Sequence, residues 1–201
     1  MLRTQRTADI IAVMPYRYPS PLIPLLPPLA DYARGSMTPG RPLLAATIEL
    51  MQRIHRDFSY DPTSTTIATP LAEVLEKRRG VCQDFAHVAI GCLRSLGLAA
   101  RYVSGYIETL PPPGQERLVG ADASHAWFAV YLPGHGWLDF DPTNNHQPLE
   151  QHITVAWGRD FSDVSPLKGI ALGGGKHQVV VSVDVARQPD QPLLLQQQQQ
   201  G

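Results

Sequence analysis

Two side chains of this sequence have the chemistry for acyl transfer through sulfur: Cys82 as a nucleophile and His125 as the base that takes its proton. A thiolate, not a thiol, attacks a carbonyl, so such a cysteine needs a place that favours its negative charge. Cys82 stands at the predicted start of a helix over 82–96, where unpaired backbone N–H groups and the helix dipole favour an anion. Taken alone, a cysteine at a helix start reads better as a small buried hydrophobe. Cys92, beside Ile90 and Leu93 in mid-helix, has only that reading. Nearest in sequence to the thiol is His87, but five helical residues turn it about 140° away from Cys82. His125 is the better base because of where its strand puts it.

That strand is one arm of a predicted hairpin, 125–132 and 137–141, folded around Pro133–Gly134–His135–Gly136. Phe128, Val130, Leu138 and Phe140 must share the buried face. A register pairing even positions with even does this, and the two-residue period then puts His125, Trp127, Asp139 and Asp141 together on the other face. A carboxylate there can fix the imidazole tautomer, aim the second nitrogen at sulfur and stabilise an imidazolium. Asp139 and Asp141 both point the right way. Asp141, at the strand end before Pro142, is preferred, with Asp139 as a solvated strand residue. Either acid reads equally as an edge-strand charge that limits aggregation.

Around these residues the chain divides into three parts: a proline-rich segment, 1–40, a core, 41–186, and a glutamine-rich tail, 187–201, expected to be disordered. The prolines at 15, 19, 21, 24, 27 and 28 predict an extended path. Leu44, Ile48, Met51 and Ile54 predict an amphipathic helix over 41–58, and Pro70 opens a short helix over 71–77. The 82–96 helix is apolar around most of its circumference and so should be buried, with Gly97 as its left-handed cap. Strands are expected at 99–107 and 178–185, with a loop at 111–114. Helices followed by antiparallel strands predict an α+β fold, with the Cys82 helix packed on the sheet.

Composition narrows the classes. A net charge of −1 offers no basic field, so neither nucleic acid nor an anionic membrane is an expected partner. No apolar run is long enough to cross a bilayer, and the first residues lack a secretory pattern. Cys82 and Cys92 stand about 15 Å apart along one helix, too far for a disulfide. Two free thiols suit a reducing compartment, so a cytoplasmic protein is expected. His135, His146 and His152 show no tight ligand spacing and no cysteine partner, so neither metal nor cofactor is expected.

Gly80–Val81–Cys82–Gln83–Asp84–Phe85–Ala86–His87 and Leu96–Gly97–Leu98–Ala99–Ala100–Arg101–Tyr102–Val103–Ser104–Gly105–Tyr106 resemble the nucleophile helix and following strand of the transglutaminase-like superfamily. Ser124–His125–Ala126–Trp127 and Gly136–Trp137–Leu138–Asp139–Phe140–Asp141–Pro142–Thr143 resemble its histidine and aspartate strands. The resemblance spans about residues 43–145. It looks closest to the bacterial transglutaminase-like cysteine proteases, which the stretch Trp157–Gly158–Arg159–Asp160–Phe161–Ser162–Asp163–Val164 also resembles. It implies a papain-like core, a triad of Cys82, His125 and Asp141, and a protein or peptide substrate. Hydrolysis is the expected outcome, with transfer to an amine as the variant. Gln83 and Tyr60 are candidates for a second oxyanion donor beside the Cys82 N–H. Relatives of that branch are expected to begin with a further β-rich domain, so a truncated form or a member without it is expected here. Apolar residues 22–29 are then available for self-association or a partner. The rival reading is a binding module that kept the fold and lost catalysis.

Overall fold

The computed structural model describes residues 8–108 and 123–167, and 169, 173, 183 and 185 singly. Its centre is helix α5, Cys82–Ser95, in which every residue from Asp84 to Arg94 is buried. The helix stops where Gly97 takes φ +75°, a backbone conformation that costs glycine little, and Leu98 N–H donates back to the Leu93 carbonyl at 3.0 Å. So apolar a helix is stable only when surrounded. Three earlier helices surround it, α2 (Pro27–Arg34), α3 (Leu43–Asp57) and α4 (Leu71–Lys77), together with one face of a sheet.

The sheet is antiparallel throughout, in the order β5 (Gly136–Phe140), β4 (Ala123–Leu132), β3 (Ala100–Ile107), β6 (His152–Gly158). Phe128 pairs with Phe140 and Val130 with Leu138, the even-to-even register that the apolar pattern requires. Ala126, Phe128, Val130 and Phe140 join Phe85, Ala89 and Leu93 in the main core, while Val103, Trp127 and Ala129 form a second cluster on the opposite face. The architecture is α+β with the Cys82 helix packed on an antiparallel sheet, as the sequence predicts.

Two local expectations need correction. The proline-rich segment is not extended throughout: Ala8–Val13 is helical (α1), Met14–Arg17 forms a 3-10 turn, and Pro27 and Pro28 open α2. Proline is tolerated in a first helical turn because the N–H groups there need no intrahelical acceptor. Ile23, Leu29 and Ala33 are fully buried, so this segment contributes to the core. Arg94, itself 1% exposed, holds it in place by donating to the carbonyls of Tyr16 (2.9 Å) and Tyr18 (3.3 Å) and to the Ser20 hydroxyl (3.1 Å). The second difference is β6, a strand that the sequence pattern does not predict. Ile153, Val155 and Trp157 are exposed, so the strand lacks the one-sided burial that makes alternation visible. The predicted loop at 111–114 and the tail from 187 lie outside the described residues, as does the predicted strand 178–185 apart from Val183 and Val185.

Candidate active site

The entry to α5 is built around Asp84. Its Oδ2 accepts from the Val81 N–H at 2.9 Å and from the Thr65 hydroxyl at 2.7 Å, closing the first turn on the residue before Cys82. A Cβ on Gly80 would lie 2.5 Å from that oxygen, so position 80 has no room for a side chain. Burial raises the Asp84 carboxyl above its usual range, against the pull of these two hydrogen bonds. Before the helix, β2 (Arg79–Gly80) pairs in parallel with β1 (Ser59–Tyr60) and sets Tyr60 opposite Gly80. The Tyr60 phenol is raised by partial burial and by the neighbouring Cys82 charge, so it stays protonated and able to donate. Cys82 is half-buried and free at the start of the helix.

Strand β4 brings His125 to this helix tip. Its Nε2 lies 2.7 Å from Asp141 Oδ2, and Cys82 is near enough to the imidazole to act on its protonation. Burial alone would lower the imidazole, but the hydrogen bond to Asp141 and the interactions with Asp141 and Cys82 prevail and raise it to about 9. Asp141 is fully buried just beyond β5. Burial disfavours its charge, yet the donors around it, His125 and His152 foremost, hold it well below the usual carboxylate range. Its Oδ1 accepts from the amides of Thr143 (2.9 Å) and Asn144 (3.2 Å), and Oδ2 from Asn144 Nδ2 (2.8 Å). Asp139, though on the same face, is engaged elsewhere: it accepts from Trp127 Nε1 at 3.0 Å.

The structure therefore brings Cys82, His125 and Asp141 together. His87 is not among them. Buried against Tyr102, it accepts from the Phe161 N–H at 3.2 Å, and burial pushes its pKa down to about 4. Cys92 is fully buried, which pushes its thiol up to about 12. Trp127 is enclosed, while the Trp137 and Trp157 rings both meet the Arg101 guanidinium, at 4.5 and 4.6 Å. His135 is exposed on the β4–β5 turn.

Sequence reasoning weighed His152 only as a metal ligand, with His135 and His146, and gave it no place beside Asp141. It opens β6, its side chain is 2% exposed, and its Nε2 is 3.0 Å from Asp141 Oδ2. The β-branched run Ile153–Thr154–Val155 after it was the available signal. His125, Asp141 and His152 each present a ligand atom within 4.8 Å of the others, a spacing that a metal ion could use. The two hydrogen bonds on Asp141 also account for that spacing.

Comparison with known proteins gives a consistent picture. Residues 30–142 match the transglutaminase-like superfamily. An uncharacterized protein of Mycobacterium tuberculosis is 50% identical over 160 residues, covering 77% of this chain and 51% of that protein. A protein-glutamine gamma-glutamyltransferase of Pseudomonas aeruginosa is 32% identical over 155 residues, 70% of this chain and 22% of the other. Among solved structures, one from Cytophaga hutchinsonii, described as a candidate cysteine protease, superposes with a TM-score of 0.64 at 28% identity, over 77% of this chain and 49% of that one. The chain spans about half the length of the mycobacterial relatives it matches.

Proposed function

Because the chain belongs to the transglutaminase-like superfamily, we propose that it is a thiol enzyme acting on peptide or side-chain amides, with Cys82, His125 and Asp141 as its triad. The observation that carries this reading is the short hydrogen bond from His125 to a buried, charged Asp141, with Cys82 close enough to raise the same imidazole. His125 takes the Cys82 proton, and the resulting thiolate attacks the amide carbonyl to form a C–S bond. The oxyanion faces the Cys82 N–H at the start of α5, with the Tyr60 hydroxyl as a candidate second donor. His125, held as imidazolium, then protonates the departing amine and the C–N bond breaks. Asp141 keeps Nε2 protonated, which leaves Nδ1 as the nitrogen that exchanges the proton with sulfur.

The thioester passes to water or to an amine. We favour water, because Tyr60 at the helix tip is exposed and admits solvent there. Peptides and proteins are the proposed substrates, and a reducing compartment suits the two free thiols. The test is incubation with a library of peptide amides, with and without a primary amine, read by mass spectrometry. Carboxylate products that disappear with Cys82→Ala support hydrolysis, and amine adducts support transfer. Turnover that persists in Cys82→Ala contradicts the thiol mechanism.

A further inference from the structure

Of the five hydrogen bonds on the Asp141 carboxylate, three come from its own turn: the Thr143 and Asn144 amides and the Asn144 side chain. Those donors move with Asp141 and cannot fix it relative to the sheet. Apart from His125, the one donor from another element, among the described residues, is His152 on β6, which is separated from β4 by β3. Its protonation is legible. Nδ1 accepts from the Leu149 N–H at 3.4 Å, which leaves the proton on Nε2, the atom facing Asp141. The ring is also seated, standing edge-on to Trp127 at 5.2 Å and against His125 at 5.8 Å. Gly105 makes this seat. It lies directly opposite His125 on β3, and a Cβ there would meet the Trp127 ring at 2.8 Å and overlap the Ile153 carbonyl of β6. With no side chain at 105, the Trp127 ring lies over β3 and β6 comes close enough for His152 to reach Asp141.

We propose that His152 is a positioning residue of this site: a neutral imidazole that donates Nε2–H to Asp141 and so fixes the carboxylate against His125. The proposal rests on the thiol-enzyme reading above and extends it by a fourth side chain, one that acts only through Asp141. Loss of a hydrogen bond to a buried carboxylate should slow the thiol about tenfold or more.

The test is the rate at which iodoacetamide alkylates Cys82 at pH 7, followed by mass spectrometry in folded protein, which needs no knowledge of the substrate. His152→Phe keeps a ring but loses the donor, and is expected to react about tenfold more slowly than wild type. His152→Gln places an amide N–H near the former Nε2 and is expected to recover most of that rate. In an Asp141→Asn background, His152→Phe is expected to cause no further loss. A His152→Phe rate equal to wild type overturns the proposal, as does a tenfold loss that persists in the Asp141→Asn background. If His152→Phe fails to fold, His152→Gln decides: a rate within threefold of wild type supports the proposal and a tenfold loss overturns it. A His125→Ala control separates the levels. If it leaves the Cys82 rate unchanged, the thiol–imidazole reading has failed, and the proposal with it. If it slows Cys82 while His152→Phe does not, only the role of His152 has failed.

Discussion

A buried carboxylate keeps its charge only where donors replace the water it has lost, and the surroundings of Asp141 are arranged for that. Both oxygens are occupied, and the His125–Asp141 contact is short and fully enclosed. Neutralising this carboxylate removes the charge that keeps His125 protonated. Asp141→Asn is therefore expected to lower kcat by roughly 10²–10⁴ with little change in KM, since the carboxylate touches the imidazole and not the substrate. Steady-state kinetics on any amide that the wild type turns over will check this, and a kcat within threefold of wild type contradicts the assigned role.

Among the elements, the hairpin was legible and β6 was not. Alternation in Phe128–Val130 and Leu138–Phe140 leaves one register that buries all four, and that register alone puts His125 and Asp141 on a common face. Nothing comparable marks β6, where Ile153, Thr154 and Val155 are all exposed. Helix α2 was hidden for a different reason: prolines that end a helix from within can begin one from its first turn. The close approach of β3 and β6 at Gly105 carries its own prediction. Gly105→Ala would push the Ile153 carbonyl and the Trp127 ring aside, and should cost about 1–3 kcal/mol of stability. Chemical denaturation will measure it, and an unchanged midpoint would show that β6 is not packed where the structure has it.

At the scale of the molecule, residues 16–33 and helix α5 form one body. Arg94 donates to the Tyr16 carbonyl and the Ser20 hydroxyl, and Asp160, fully buried, accepts the Leu22 N–H at 2.8 Å. The charges of the site should also appear in global stability. His125 is raised from 6.5 to about 9, so its contribution is complete below about pH 6.5 and is lost as pH rises through 9. Asp141 is depressed, so its contribution is present above its unfolded value near 3.8 and is lost as pH falls below it. Thermal melts should therefore show a loss of stability between pH 6.5 and 9 that flattens in Asp141→Asn. Parallel profiles for the two proteins would mean that the pair is not coupled to folding.

The most direct measurement is the alkylation rate of Cys82 at pH 6, in wild type and in His125→Ala. An isolated cysteine is almost entirely thiol at that pH and reacts slowly. If the sulfur shares its proton with an imidazole held by Asp141, wild type should react at least about tenfold faster than the variant. Equal rates would show that the imidazole does not activate the sulfur, and the triad would be a structural contact without chemistry.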